Sequence, residues 1–184
     1  AWEGGHAVPL LARWPGRIPA ARLRQALFSQ IDLMATLADA AGVPMPAGAS
    51  PDGASDWASF RDPAGAPATR TEAVFQGTGG YALRQGDWMY LPKQGSLGMT
   101  VQVPAGPQWG LPYAKLGLVN SDVDAEGRVK AGAPAAQLYN LREDPGETVN
   151  VIARHPEIAQ RLAARLAELV PARKPAAQNK AHKE

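Results

Sequence analysis

Glycine and proline punctuate this chain from end to end. Nineteen glycines and seventeen prolines sit among 184 residues. Glycine weakens a helix or strand interior, and proline removes a backbone donor. The density is loop-rich, yet below the roughly 25–30% of low-complexity disordered chains. Hydrophobic residues at 45% and charged residues at 20% suit a globular chain with one real core.

Two stretches read as amphipathic helices. In "FSQIDLMATLADAAGVP" Ser29 is the expected N-cap and Asp32 closes a capping box, with Phe28 and Leu33 placed as a hydrophobic staple. Ile31, Met34, Leu37, Ala38 and Ala41 share one apolar face, and Gly42 with Pro44 ends the helix. In "HPEIAQRLAARLAELV" Pro156 suits the first helical position and Glu157 the first-turn dipole, while Ile158, Leu162, Leu166 and Leu169 line one face.

The remaining elements are short. "HAVPLLARWPG" predicts a buried strand over 7–13 carrying Val8, Leu10 and Leu11, with Pro9 at its start or on an edge. "DWASF" predicts one helical turn, "TEAVFQ" and "QLYNL" predict strands, and "REDPGE" a turn. "GGYALRQGDWMYLPK" predicts a hairpin turning at Gln85-Gly86-Asp87, with Tyr81 and Leu83 on one face and Ala82 and Arg84 on the other. Residues 94–136 form a long irregular stretch, the kind that is functional or disordered. Beyond Pro171 the chain is polar and basic, and disorder is expected.

Several functions are excluded. A net charge of +2 is too small to argue for nucleic acid. No apolar run reaches the roughly 18 residues needed to span a bilayer. The absence of cysteine removes disulfides, thiolate metal sites and any cysteine-derived nucleophile from this chain. The three histidines, His6, His155 and His182, are too far apart in sequence to argue for zinc. Asp122, Asp124 and Glu126 are the densest acids, but they lack the EF-hand pattern.

The order of six landmarks carries more information than any one of them. "WEGGHAVPLLARWPGRIPA", "SQIDLMATLADAAGVPMP", "DGAS", "YALRQGDWMYL", "GAPAAQLYNLREDPGETVNV" and "HPEIAQRLAARL" together resemble the C-terminal portion of an arylsulfatase-type sulfatase, from residue 1 to about residue 170. The chain's start in mid-sequence, without Met or a signal peptide, is expected of such a portion. The resemblance implies an α/β fold: residues 1–50 as the end of an alkaline-phosphatase-like large domain and 51–71 as a connecting loop. Residues 72–170 follow as a small α+β subdomain, an antiparallel sheet packed on a C-terminal helix, with its long loop at 94–136 and a disordered basic tail at 171–184.

The resemblance also implies a sulfuric ester hydrolase that uses formylglycine and calcium, with a glycan or aryl sulfate ester as substrate. Neither C-x-P-x-R nor S-x-P-x-R occurs here. Formylglycine, calcium ligands and most sulfate-binding residues are therefore expected in the missing N-terminal part of the same enzyme. No catalytic or metal-binding residue is assigned to this chain, which is expected to be inactive alone. Relatives that degrade polysaccharides are often exported, so a periplasmic or extracellular compartment is the expectation.

Four residues are substrate-contact candidates: Glu3 and His6 beside the "EGG" turn, and Trp109 and Tyr113 in the long loop, where aromatic faces suit a sugar or aryl group. Ala7 stands where many relatives carry Arg, which removes a local cation. Gly4 and Gly5 read as a tight turn needing glycine's backbone angles. Arg84 and Trp88 read as packing residues, Arg84 paired to a carboxylate and Trp88 buried. Two other readings stay open: a phosphatase or phosphodiesterase of the same superfamily, and a non-catalytic binding module.

Overall fold

The computed structural model describes residues 2–77, 80–94, 120–124 and 129–170. Two compact units emerge: residues 7–73, and residues 1–6 together with 74–184.

The 7–73 unit is held by polar contacts as much as by apolar ones. A 3-10 turn, Gln30–Asp32, leads into α1, Leu33–Ala41. The Ser29 N–H donates to Asp32 Oδ2 at 3.0 Å, so the expected capping box is present. Gly42, at φ +67°, ends the helix, and the Val43 N–H closes onto the Ala38 carbonyl at 2.9 Å. A left-handed residue at this point is what glycine supplies at low cost. A short helix α2, Trp57–Arg61, follows. Phe28 meets Phe60 edge-on at 5.6 Å, and Trp14 leans on Trp57 at 5.5 Å.

Two expectations fail in this unit. No strand forms over 7–13, and Leu11 is 94% exposed. Pro9 lacks a ladder donor, and among the described residues no strand pairs with this segment. The apolar face of α1 is turned outward: Ile31, Met34 and Leu37 are exposed, while Asp32 and Thr36 are buried beneath it. The helix period was legible, but the side that meets the unit's interior is the polar one.

The second unit is a four-stranded sheet in the order β1-β2-β3-β4: Glu72–Gly77, Gly80–Gln85, Trp88–Leu91 and Gln137–Asn140. β2 and β3 pair antiparallel with Gln85 opposite Trp88, leaving Gly86 and Asp87 as a two-residue turn. Gly86 takes φ +57°, as such tight hairpin turns require. β3 and β4 are also antiparallel, with Tyr90 opposite Leu138.

Strand alternation sorts the sheet into two faces. Leu83, Tyr90 and Leu138 pack on Ala159, Leu162 and Leu166 of α3, Pro156–Leu169. Ala82, Met89, Leu91 and Tyr139 face the other way and are covered by Trp2, Phe75 and Leu141. The hairpin faces are those expected. Trp88 is half-buried rather than buried, with His155 edge-on at 5.1 Å. Within the long irregular stretch, residues 120–124 and 129–136 contain one isolated bridge, Val123 to Val129.

Candidate functional site

The second face of the sheet carries the "EGG" turn. Glu3–Gly5 is a 3-10 turn closed by the Gly5 N–H on the Trp2 carbonyl at 2.9 Å and the His6 N–H on the Glu3 carbonyl at 3.1 Å. Contrary to the expectation from the sequence, this turn does not use glycine's special backbone angles. Neither Gly4 nor Gly5 has positive φ, and a Cβ at either would meet nothing within 4 Å. Neither backbone angle nor space within this chain demands glycine there.

Side chains from distant strands hold the turn in place. The Trp2 indole N–H donates to Gln137 Oε1 at 3.3 Å, which also accepts the Tyr139 hydroxyl at 2.6 Å. Asn120 Nδ2 donates to the Tyr139 hydroxyl at 2.8 Å and to the Glu147 carbonyl at 2.7 Å. Gln137 Nε2 reaches the Lys93 carbonyl at 2.7 Å. A buried network in which each member finds partners is rigid, because each unmade bond would carry a desolvation cost.

Glu3 Oε1 accepts Arg84 Nη1 at 2.6 Å, the carboxylate pairing expected of Arg84. Glu3 Oε2 has no hydrogen-bond partner and lies 3.9 Å from His6 Nδ1. The His6 ring stacks on Phe75 with centroids 3.6 Å apart and planes 10° from parallel. Glu3 and His6 are thus brought together at one half-buried spot, braced by a cation and an aromatic face. Trp109 and Tyr113 lie outside the described residues.

Glu147 is the residue that sequence reasoning missed. It is 3% exposed and sits at φ +52°, a left-handed conformation that costs a non-glycine residue about 1–2 kcal/mol. Its Oε2 accepts the Glu3 backbone N–H at 2.5 Å, while Oε1 is buried without a partner. Burial pushes its carboxyl up to about 7; the Glu3 N–H works against this and the Glu3 charge adds to it. An acid directly after Pro-Gly, where a left-handed turn would prefer Gly or Asn, was the available signal.

Among the described residues no group of three or more His, Asp or Glu stands ready to hold a cation. Asp122 is engaged as a structural acceptor, taking Asn150 Nδ2 at 2.6 Å, Gln94 Nε2 at 2.8 Å and Ser121 Oγ at 3.0 Å. Glu126 lies outside the described residues.

Residues 1–43 match the family model described as Sulfatase. An N-acetylgalactosamine-6-O-sulfatase of Bacteroides thetaiotaomicron is 31% identical over 164 residues, covering 88% of this chain and 27% of that protein. Arylsulfatase G of Mus musculus is 48% identical over 52 residues, 28% of this chain and 10% of that protein. A solved structure titled for glycosaminoglycan metabolism by Bacteroides thetaiotaomicron is 28% identical with a TM-score of 0.56, covering 85% of this chain and 28% of its own. A second, solved in complex with its substrate D-glucosamine-2-N,6-O-disulfate, has a TM-score of 0.52 at 18% identity over 85% of this chain and 26% of its own, which shows shared fold alone. The chain therefore spans about a quarter of the length of the N-acetylgalactosamine-6-O-sulfatase and of the 28%-identical solved structure. Over most of its length the chain is thus similar to sulfatases, and these matches support a C-terminal portion of that alkaline-phosphatase-like α/β fold.

Proposed function

We propose that the protein containing this chain hydrolyses sulfate esters, and that its substrates are 6-O-sulfated amino sugars of glycans. The likeness over 88% of the chain to an N-acetylgalactosamine-6-O-sulfatase carries this reading. The likeness to a 28%-identical solved structure from glycosaminoglycan metabolism supports it.

Sulfate ester cleavage needs an in-line nucleophile, positive charge on the free sulfate oxygens, and an acid for the leaving alcohol. With no cysteine in the chain and no cation cluster among its described residues, the nucleophile and metal of the family are assigned to sequence outside these 184 residues. This chain's share is a wall of the substrate pocket. Glu3 and His6 stand at that wall, the Glu3 charge balanced by Arg84 and the His6 ring fixed by Phe75. An imidazole so held presents an N–H to a sugar hydroxyl or sulfate oxygen. Trp109 and Tyr113 are assigned to the same mouth as aromatic faces for a sugar ring. In this reading residues 1–50 belong to the large domain, 51–71 connect, and 72–170 form the small one. The exposed Val8–Leu11 segment and the outer face of α1 then lie against the rest of the enzyme.

Sulfate release from N-acetylgalactosamine 6-sulfate tests the proposal, with the full gene product and this chain assayed side by side. The full product is expected to release sulfate and the chain alone none. Turnover by the purified chain, abolished by substitutions within it, would overturn the division of labour. Release of phosphate but not sulfate by the full product would overturn the reaction class.

A further inference from the structure

We propose that Glu147 is a positioning residue: its buried carboxylate latches the Glu3–Gly5 turn and so sets where Glu3 and His6 meet substrate. The inference rests on the reading of Glu3 and His6 as substrate contacts and goes beyond it, since Glu147 is 3% exposed and acts through the turn.

Three observations carry it. The latch spans 144 residues, from the Glu3 N–H to Glu147 Oε2 at 2.5 Å, and joins the "EGG" turn to the "DPGE" turn. The second turn has no need of the carboxylate. Its own bonds come from Asp144, which accepts Thr148 Oγ1 at 3.0 Å and the Val149 N–H at 2.8 Å, and from Asn120 on the Glu147 carbonyl. Glycine would satisfy φ +52° without strain. A buried acid with one oxygen unpaired is a costly way to fill a turn. Finally, Gly4 and Gly5 leave the first turn with the freest backbone available, and nothing crowds them. A turn so free needs an external restraint if its flanking side chains are to hold a productive geometry. Glu147 supplies that restraint at the residue that opens the turn.

Two substitutions separate the latch from the fold. Glu147→Gly relaxes the strained backbone but removes the acceptor. Glu147→Gln keeps an oxygen that accepts the same N–H. In the chain itself, amide exchange of Glu3, Gly5 and His6 is expected to quicken at least tenfold in the Gly variant. With each rate taken relative to those of Leu83, Tyr90 and Leu138 so that changes in global stability cancel, it should stay within about threefold of the unsubstituted chain in the Gln variant. In the full gene product, kcat/KM on N-acetylgalactosamine 6-sulfate is expected to fall at least tenfold with Gly and to recover most of that with Gln. Unchanged exchange in the Gly variant overturns the latch. Quickened exchange with unchanged kcat/KM overturns its positioning role. Absence of sulfate release from the unsubstituted enzyme overturns the functional reading instead, and the exchange arm still reports on the latch.

Discussion

Asp32 and Arg70, 38 residues apart, meet in a two-point fork: Arg70 Nε donates to Asp32 Oδ2 at 2.7 Å and Nη2 to Oδ1 at 2.5 Å. The same carboxylate accepts the Ser29 N–H and the Ala54 N–H, each at 3.0 Å. Arg70 Nη2 also donates to the Asp52 carbonyl at 2.7 Å. One buried acid therefore ties the start of α1, the loop after it and the approach to β1. Burial alone would push the Asp32 carboxyl up. The Arg70 fork and the two backbone donors outweigh it and hold the carboxyl below its ordinary value.

Arg70→Ala is expected to destabilise the 7–73 unit by roughly 3 kcal/mol, the size found when one partner of a buried pair is removed. Arg70→Lys should recover only part of this, because an ammonium cannot make the planar two-point contact. Urea unfolding followed at Trp14 and Trp57 reads both, and a loss under 1 kcal/mol for Ala would contradict the role given to the fork. The folded-state pKa is depressed, so this stabilisation is present above the unfolded value near 3.8 and is lost as pH falls through the folded value.

Glu147 has the opposite sign. Its carboxyl is raised by burial from 4.5 to about 7 in the folded chain. Between those values the folded state binds the extra proton, so stability falls as pH rises from about 4.5 to about 7 and is flat outside that window. The shift corresponds to roughly 3 kcal/mol. Glu147→Gln should remove this slope, and the melting temperatures of the two proteins should converge below pH 4.5. Parallel curves across the whole window would show that Glu147 does not titrate there.

Elements governed by local pattern were legible in the sequence. Ser29 and Asp32 marked a helix start, Gly42 its end, Gln85-Gly86-Asp87 the hairpin turn (of which Gln85 instead closes β2), and Leu162 and Leu166 the buried face of α3. What failed depended on distant partners. Val8, Leu10 and Leu11 have a strand's composition, but a strand exists only where another pairs with it. The α1 stripe has a helix's period, but period does not say which face is covered, and Asp32 took the inner side through Arg70. Glu3 and His6 were singled out through the "EGG" turn, and the structure sets them side by side. Glu147 was not, because its link to that turn is one hydrogen bond across 144 residues that no spacing rule reveals.

Leu162→Ala should cost about 2–5 kcal/mol, the range for emptying a fully buried leucine site. Leu162 is completely enclosed between α3 and the Leu83, Tyr90 and Leu138 face of the sheet. The loss should register in the sheet unit, by weakened amide protection at β2 and β3, and leave the Asp32–Arg70 unit unchanged. Equal loss in both units would mean that they unfold as one.

The outer face of α1 makes the reverse prediction. Met34 is 52% exposed and Leu37 63% exposed, three residues apart on one helix face, with Ile31 beside them. Their burial contributes little to this chain's own stability, since stabilisation follows the apolar area removed from water. Met34→Glu and Leu37→Glu should therefore shift the urea midpoint of the chain by no more than about 0.5 kcal/mol, as surface changes do. An exposed apolar stripe also promotes association, so the double variant should stay monomeric at concentrations where the unsubstituted chain self-associates. In the full gene product the outcome should invert if this face lies against the rest of the enzyme. There each glutamate would bury an unpaired charge, and the double variant should lose folded protein and activity together. Sedimentation of the chain and thermal melting of the full product read the two halves. A full product as stable as its parent would place the α1 face on the outside of the enzyme too.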